Sequence, residues 1–398
     1  MKKVVINGGG FSGIYALREL AKCSDIKITM IDKHPYHNLQ PEVYDLIANK
    51  SNLSDVTIDL PSLCAGLNHS YLEFKNLRVT SIDFEAHHIL TQEEEIVPYD
   101  YLILAMGART LFPSSIEGLN NTDDIKKLHK ALFFKQSFET QLFNKVSDES
   151  KKCDKTHIVV VGAGLSGVEI AAEMANYAKH FFERGNFICE NLKISLVSSG
   201  NTILSGFHPK IIQMSNDRLK DLQINIITNA KMTSCDEEFV YLSNGTNVQY
   251  SFILFAGGIE ASNLANKLPL SKNKKNQIIV NEFLQTKEYS NVFAIGDIAQ
   301  IKNKEGQILP ANVTVAKISA RCGAHNILNS IQGKELKLCD PKLEGTLIAL
   351  GGRYAVCDLY GMVQVKGFVG YLIKQFVFLR YKLPLLRIIK NGHKKLTF

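Results

Sequence analysis

Two glycine-rich turns in this chain have the residue types and spacing that bind a pyrophosphate group. Their glycines are Gly8, Gly10 and Gly13 in the first turn, and Gly162, Gly164 and Gly167 in the second. In such a turn the first glycine lets the chain reverse, the second lets a phosphate approach the backbone, and the third lets helix pack on strand. Free N–H groups at the start of the next helix then face the anion. The sequence therefore predicts two dinucleotide sites.

The strand that follows each turn ends differently. The strand KITMIDK ends on Asp32, where a carboxylate can accept hydrogen bonds from the ribose hydroxyls of an adenosine. The strand LKISLVSSG ends on Ser198 and Ser199, so the second turn lacks this acid, and no arginine beside it favours a 2′-phosphate. The first turn thus completes a dinucleotide fingerprint, whereas the second leaves the choice between NADH and NADPH open.

Short apolar strands and helices must position these turns. Strand, turn and helix alternate through residues 1–50, which predicts a doubly wound parallel sheet. Further buried strands are predicted in YDYLILAMGART, FILFAGG and NVFAIGDIAQ, and each of them runs into a glycine. Residues 123–145 are predicted to be helical, and the polar run VSDESKKCDKTH is predicted to be a linker. These signals indicate an α/β protein with two Rossmann-like dinucleotide-binding domains.

The composition is that of a folded globular protein. The 398 residues can form two or three domains, and 45% hydrophobic with 21% charged residues does not indicate disorder. Eight cysteines show no C-x-x-C pair and no metal-ligand spacing, so no metal site is predicted. No signal peptide precedes the first strand, and reduced thiols in a cytoplasmic setting are therefore expected.

The net charge of +7 lies in the last tenth of the chain. Residues 361–398 contain no acidic residue and eight basic ones, which are Lys366, Lys374, Arg380, Lys382, Arg387, Lys390, Lys394 and Lys395. Apolar residues recur there at nearly helical spacing, which favours an amphipathic anchor on an anionic membrane surface over a homodimer interface. Nucleic-acid binding is not expected, because apolar residues interrupt the basic ones. Pro384 is predicted to break this segment into two helices.

The order GGGFSG, Asp32, YLILAMGA, GAGLSG, FAGG and AIGD resembles that of the two-dinucleotide-binding-domain flavoprotein reductases. Within them, IDKHPYHNLQPEVYDLIAN and GTLIALGGRYAV resemble segments of the type II (single-subunit) NADH:quinone oxidoreductase family. The resemblance implies non-covalent FAD in a discontinuous domain (1–120 and 257–345), NAD(P)H in an inserted domain (121–256), and a membrane-association segment (346–398). It also implies a peripheral enzyme on the cytoplasmic face of the cell inner membrane, which passes hydride from NAD(P)H to FAD and then two electrons to a quinone, without proton pumping.

The resemblance also implies roles for individual residues. The residues implied to bind FAD are Gly8, Gly10, Phe11, Ser12, Gly13, Asp32, Lys33, Val79, Ala105, Gly107, Gly296 and Asp297. Those implied to bind NAD(P)H are Gly162, Gly164, Leu165, Gly167, Glu169, Ser198 and Gly257. Glu169 and Lys366 are the catalytic candidates, and the quinone pocket is expected at Asn312, Val313, Thr314 and Ile318. Both glutamines of the family's A-Q-x-x-x-Q motif are absent from this last stretch.

Two other functions remain open on the sequence alone. A reductase with the same anchor could pass electrons to a soluble acceptor, and the missing glutamines keep this alternative in view. A non-enzymatic nicotinamide sensor is the third, because proteins similar to apoptosis-inducing factor have this fold. Oxidation of NAD(P)H with a water-soluble quinone separates the sensor from both enzymes.

Overall fold

A computed structural model of the protein describes residues 1–147, 156–184 and 192–396. Most of the predicted linker VSDESKKCDKTH lies outside the described residues. The N-terminal strands are β1 (Lys2–Asn7), β2 (Ile26–Ile31), β3 (Tyr36–Asn38), β4 (Thr57–Asp59), β5 (Leu72–Lys75), β6 (Val79–Asp83), β7 (His88–Thr91), β8 (Ile96–Pro98), β9 (Tyr101–Leu104) and β10 (Ala108–Thr110).

Later strands come from the second turn onwards. Those before the chain returns to the first unit are β11 (Thr156–Val161), β12 (Leu192–Val197), β13 (Asn225–Ile227), β14 (Met232–Cys235), β15 (Phe239–Leu242), β16 (Asn247–Gln249) and β17 (Phe252–Phe255). Those that follow are β18 (Ile259–Ala261), β19 (Ile278–Ile279), β20 (Val292–Ala294), β21 (Ala299–Gln300), β22 (Gly345–Ala349), β23 (Ala355–Leu359) and β24 (Val363–Gly367).

Helices alternate with these strands. They are α1 (Phe11–Leu20), α2 (Val43–Ile47), α3 (Leu60–Gly66), α4 (Leu128–Ser147), α5 (Leu165–Arg184), α6 (Pro209–Asp221), α7 (Asn263–Lys267), α8 (Val313–Ile331) and α9 (Phe368–Leu396).

The first unit is built on a five-stranded parallel sheet. Its strand order is β20-β9-β1-β2-β5. Residues 4–6 of β1 are completely or almost completely buried, as expected for a central parallel strand with helices on both faces. Because β20 joins this sheet from far along the chain, the unit is discontinuous, as predicted.

The second unit is inserted between β10 and β18. Its parallel sheet has the order β13-β12-β11-β17, and β14 to β16 form a separate antiparallel sheet. The chain enters through β10 and returns through β18, which pair with each other in an antiparallel ribbon. An ion pair between Arg109 and Glu260, at 2.7 Å, joins the two strands of this ribbon. The α/β class with an inserted second domain is confirmed, and the precise boundaries at residues 120 and 256 stay predictions.

One helix prediction needs adjustment. The helix predicted over 123–145 begins only at Leu128, because Asp123 forms a bridge with Leu254 of β17.

The segment after β20 contains a short 3-10 turn, Gly296–Ile298. Helix α8 follows later, and its first turn is capped by the Asn312 side chain, which accepts from Val315 N–H at 2.9 Å.

The prediction that Pro384 ends a helix is wrong. Helix α9 runs through Pro384 from Phe368 to Leu396. The helix continues through the proline because its inner face packs into the first unit, where Leu385 and Ile389 are buried in the core. Proline removes one main-chain hydrogen bond from the helix, and the packing of this face offsets that loss.

Helices α3 and α9 cross at very short range. A methyl group on Gly392 would lie 1.8 Å from the carbonyl oxygen of Ser62, and one on Gly66 would lie 2.0 Å from that of Ile388. Glycine at both positions therefore lets the two backbones touch. The C-terminal segment is thus part of the fold of the first unit as well as a predicted anchor, and cutting it away would open that core.

The other face of α9 is apolar and exposed. Its large exposed residues, together called the apolar stripe, are Phe368, Val369, Leu372, Phe376, Val377, Leu379, Leu383 and Leu386. Seven of the eight basic residues of this segment lie at least partly exposed, and only Lys374 is buried. Among the described residues, every helix is too short or too polar to cross a bilayer.

Candidate functional site

The two glycine turns have the same backbone geometry. Gly8 and Gly162, the first glycines, have φ angles of +118° and +110°, which side chains rarely allow. A methyl group on Gly13 would lie 1.8 Å from the carbonyl oxygen of Gly8, and one on Gly167 would lie 1.7 Å from that of Gly162. The protein itself therefore requires glycine at these four positions.

Contacts within the described part of the protein do not require glycine at the two middle positions. A methyl group on Gly10 or Gly164 would meet no described atom within 4 Å. Gly10 has φ −77° and ψ −168°, an extended conformation that any residue adopts. Beside the first turn, the buried amide nitrogen of Asn7 has no hydrogen-bond partner among the described residues. Open space at the middle glycines and an unpaired donor fit a bound group that approaches the backbone.

Three strand ends converge at the first turn. Ala105, which follows β9, lies so close that its carbonyl oxygen would be 2.4 Å from a methyl group on Gly8. Gly296, which follows β20, has a φ of +69°, and a methyl group there would lie 2.7 Å from Ser12 Oγ. The N–H of Gly296 donates to Ser319 Oγ on α8 at 3.1 Å. These contacts lie at the carboxyl edge of the sheet, where α/β folds bind ligands.

The carboxylate of Asp32 is held at the mouth of the first turn. Its Oδ2 accepts from Gly9 N–H at 2.7 Å, and its Oδ1 accepts from His34 N–H at 2.8 Å. A carboxylate has about four acceptor positions, so two of them stay available to hydroxyl groups of a ligand. Lys33 is exposed next to it, and Val79 is half-buried in the separate antiparallel sheet of β6, β7 and β8.

Lys126 faces Asp297, and the sequence analysis missed it. Burial raises the pKa of Asp297, and the charge of Lys126 opposes this increase. Burial lowers the pKa of Lys126, while Asp297 and Asp124 act in the opposite direction. Lys126 stands in the polar run TDDIKK. The backbone of Asp123, three residues before it, pairs with β17, and this pairing positions Lys126 at the first site.

The second site lacks an acid where the first has Asp32. Ser198 at the end of β12 is buried, and its hydroxyl donates to the carbonyl oxygen of Thr202 at 2.8 Å. Ser198 Oγ also accepts from Gly200 N–H at 3.3 Å. Gly257 follows β17, which lies on the far side of β11 from β12, and it lies against the ring of Phe255. Gly164 and the start of α5 at Leu165 remain accessible to solvent.

Glu169 is buried one turn into α5. Only 7% of the residue is exposed, and its Oε1 accepts from Ala349 N–H at 2.9 Å. Burial raises its pKa to about 7, although Lys374 and the Ala349 N–H favour the ionised form. Near neutral pH this carboxyl group therefore holds a proton part of the time.

The charge of Lys374 of α9 acts on this carboxyl group, whereas Lys366 is exposed on β24. Burial disfavours the charge of Lys374, but four surrounding carboxyl groups raise its pKa above the usual value. One of them, Glu42, has its Oε1 4.0 Å from Lys374 Nζ. The buried acidic cluster, as we call it, consists of Glu42, Asp45, Glu169, Glu173 and the buried Lys374, and Lys50 closes it from the surface with a side chain that is 27% exposed.

The buried acidic cluster contains more acids than cations. Lys50 pairs with Asp45 at 2.5 Å and with Glu173 at 2.9 Å. Glu42 and Glu169 are then left with Lys374. Burial raises the pKa of Glu42 to about 7 as well, against the charge of Lys374. The two glutamates therefore titrate in the neutral range, close to the N-terminal end of α5.

A family profile agrees with this arrangement. The profile described as pyridine nucleotide-disulphide oxidoreductase matches residues 2–320. The chain belongs to this family.

Among the described residues, no group of three His, Cys, Asp or Glu side chains could hold a metal ion.

Relatives within the pyridine nucleotide-disulphide oxidoreductases cover nearly the whole chain. The type II NADH:quinone oxidoreductase of Haemophilus influenzae is 26% identical over 391 residues, which cover 90% of this chain and 87% of that protein. The demethylphylloquinone reductase NdbB of Synechocystis is 26% identical over 395 residues, covering 96% and 92%. The structure of NDH2 from Plasmodium falciparum in complex with NADH has a TM-score of 0.85 at 20% identity, covering 99% and 98%.

The residues expected to line a quinone pocket occupy the first two turns of α8 and its cap. Asn312 is the N-cap, Val313 is 36% exposed, and Thr314 and Ile318 are half-buried. Ser319, next to Ile318, is the residue that binds Gly296 N–H. The start of α8 is therefore tied to the first site, and the role of these four residues stays a prediction.

Helix α9 also contributes a side chain to the first site. Tyr381 forms a 3.1 Å hydrogen bond with Nε2 of His37, and its ring packs on Phe11 at a centroid distance of 5.1 Å. Burial lowers the pKa of His37 to about 3, so this histidine is neutral at physiological pH. Tyr381 was not singled out in the sequence, because its aromatic ring is one of many in an apolar segment.

The open positions at the middle glycines give a direct test. We expect Gly10→Val to fold but to lose the dinucleotide of the first site, because the new side chain fills space that the protein leaves empty. Losing an N-cap glycine costs only about 1 kcal/mol. Gly164→Val should keep the first dinucleotide and weaken nicotinamide binding by at least about 100-fold, or about 3 kcal/mol.

Bound flavin absorbance, circular dichroism and nicotinamide titration measure these outcomes. Each variant serves as the control for the other. Full flavin content in folded Gly10→Val protein would contradict the assignment of the first site.

Proposed function

We propose that this chain is a peripheral flavoprotein that oxidises NADH or NADPH and reduces a quinone. The observation that carries the proposal is the pair of matched turns, each with a middle glycine that no described atom approaches. The relatives from Haemophilus influenzae and Synechocystis have names that specify NADH:quinone and demethylphylloquinone reduction, which supports a quinone as the acceptor.

The first turn binds FAD and the second binds the nicotinamide. The first site offers Asp32 for ribose hydroxyls and Asp297 at a third strand end, and Tyr381 of α9 packs over its entrance. The second site is more open, since Gly164 is exposed, which suits a substrate that is exchanged in every turnover. FAD, when bound, accepts two electrons from a nicotinamide and passes two electrons to an acceptor.

The residues around the two sites control charge and protons. Lys126 places a positive charge near Asp297, at the edge of the flavin site. Glu169 holds a proton near neutral pH, and a quinone needs two protons as it takes up two electrons. Lys374 stabilises the ionised form of Glu169, so we assign it as a positioning residue. The catalytic role of Lys366, which is exposed on β24, stays a prediction.

The preference between NADH and NADPH should be weak and in favour of NADH. Ser198 cannot repel a 2′-phosphate as a carboxylate does, and its hydroxyl is already bonded to Thr202. No basic side chain in the sequence beside it compensates the phosphate charge. A soluble acceptor stays the second candidate, because the two glutamines of the quinone motif are absent at the start of α8.

The apolar stripe of α9 supports a position of the enzyme on a membrane surface. Exposed basic residues border it, as in helices that lie in an anionic interface. The cytoplasmic face of the cell inner membrane is the location that we propose. A homodimer that covers the same stripe is the competing arrangement, and the membrane test below separates the two.

The two half-reactions test the proposed function. Under anaerobic conditions NADH should bleach the bound flavin, and a ubiquinone or menaquinone analogue should restore its colour within the turnover time. A flavin that NADH reduces but no quinone reoxidises would point to a soluble acceptor. A flavin that NADH does not reduce would point to a nicotinamide sensor.

The buried acidic cluster predicts a pH dependence. Burial raises the folded pKa of Glu169 from about 4.5 to about 7, so the folded protein holds a proton that the unfolded chain has released. The protonated form stabilises the fold below about pH 4.5, and this contribution is lost as the pH rises towards 7. We expect flavin reoxidation by a short-chain quinone to slow over the upper part of this range.

Three variants identify the groups behind this ionisation. Glu169→Gln should abolish the pH dependence of flavin reoxidation. Lys374→Met should move this pH dependence to higher pH, since the lysine favours the ionised carboxylate. Lys390→Met, on the exposed face of α9, is the matched control and should leave the profile unchanged. Stopped-flow measurements from pH 5.5 to 8.5 give the profile, and an unaltered profile in Glu169→Gln would exclude this glutamate as the titrating group.

The apolar stripe predicts membrane binding without truncation of the fold. The triple variant Leu372→Ser, Phe376→Ser and Leu379→Ser should lower affinity for anionic vesicles by at least about tenfold, because each side chain loses part of about 2 kcal/mol of apolar burial. Turnover with a long-chain quinone should fall with it, and turnover with a short soluble quinone should not.

Co-sedimentation with vesicles at low and high salt measures this binding. The matched control replaces Ile96, Phe133 and Ile308 with serine, since these are exposed apolar residues outside α9. Light scattering follows the mass in parallel. If the stripe variant halves the mass and keeps its vesicle affinity, the stripe is a homodimer interface.

A further inference from the structure

Two cysteines meet beside helix α8, outside both dinucleotide sites. Cys322 lies in the middle of α8 and is half-buried, whereas Cys339 is buried in the segment that follows the helix. Their side chains are in hydrogen-bond contact. Both are free thiols. They are further apart in the sequence than the two cysteines of a short redox motif such as C-x-x-C.

Backbone contacts fix this juxtaposition. Asn326 lies one turn after Cys322 on the same face of α8. Its side chain donates to the carbonyl oxygen of Lys337 at 2.9 Å and accepts from Lys337 N–H at 2.8 Å. Cys339 N–H, two residues on, donates to the carbonyl oxygen of Glu282 at 2.8 Å. The segment that carries Cys339 is therefore held against the helix face that carries Cys322.

The environment of Cys322 differs from that of several other thiols. The hydrogen bond with Cys339 lowers the pKa of Cys322. Burial instead raises the pKa of Cys64 to about 12 and that of Cys357 to about 11. Because the thiolate is the reactive form of cysteine, oxidants should select Cys322 over these buried thiols.

We propose that Cys322 and Cys339 form a dithiol site that reacts with hydroperoxides and closes into a disulfide. In the first step the Cys322 thiolate attacks a peroxide oxygen, the O–O bond breaks, and the departing oxygen takes up a proton to leave as water or alcohol. Cys322 is then a sulfenic acid. In the second step Cys339 attacks the Cys322 sulfur and displaces hydroxide, which leaves as water with the Cys339 proton.

The bond would tie α8 to the segment of Cys339. The two residues are 17 positions apart, so the closed loop restricts the unfolded chain. The function of Cys339 is to resolve the sulfenic acid before a second peroxide converts it irreversibly. Since neither thiol belongs to the proposed flavin or nicotinamide site, the inference is independent of the electron acceptor.

Peptide mass spectrometry tests the site in the flavin-loaded protein. After brief treatment with hydrogen peroxide and alkylation, trypsin should release residues 322–334 linked to residues 338–342, with two hydrogens lost. Oxidation should raise the midpoint of thermal unfolding by about 3 °C. In Cys339→Ser, Cys322 should be trapped as a sulfenic acid at least about tenfold faster than the half-buried Cys23.

Two further variants complete the experiment. Cys322→Ser should leave Cys339 unmodified, because that thiol is buried, and Cys64→Ser should form the cross-link as the wild type does. Two results would overturn the proposal. One is a cross-link that forms only after denaturation, and the other is a reaction of Cys322 no faster than that of Cys23 in folded Cys339→Ser protein.

Discussion

The burial of Lys374 among carboxyl groups is the interaction on which the arrangement of the two units depends. Glu42 comes from the first unit, Glu169 from α5 of the second, and Lys374 from the C-terminal helix. A buried ammonium group without acidic partners would be strongly disfavoured, as would buried carboxylates without a cation. Each of the three segments therefore stabilises the position of the other two.

The same electrostatics explain why the glutamates remain partly protonated. Four carboxyl groups surround two lysines, so full ionisation would leave an excess of buried negative charge. The excess is relieved by protons on Glu42 and Glu169, whose pKa values lie near 7. Packing therefore leaves two protonatable carboxyl groups close to the second glycine turn. The proton transfer proposed for the enzyme would therefore use carboxyl groups that the packing of the fold already keeps partly protonated.

Helix α9 shows how one element serves two environments. Its inner face supplies Leu385 to the core, Tyr381 to the first site and Lys374 to the buried acidic cluster. Its outer face carries the apolar stripe. A membrane-bound helix with these contacts would hold the acceptor side of the protein at a fixed distance from the lipid surface. This double use also explains why Pro384 is tolerated within a continuous helix.

The sequence by itself determined the two turns, because the local backbone geometry requires their glycines and the spacing of these glycines can be read directly along the chain. It also determined the α/β class, and the order of the apolar strands that end in glycine carried the family resemblance that implied a discontinuous first unit. The tertiary structure alone decided which lysine stands beside Glu169 and that Lys126 faces Asp297. These pairs join residues that are distant along the chain, and a lysine in a basic segment looks the same whether it is exposed or buried. Burial also set the pKa of Glu169, because desolvation depends on every segment that packs around a group.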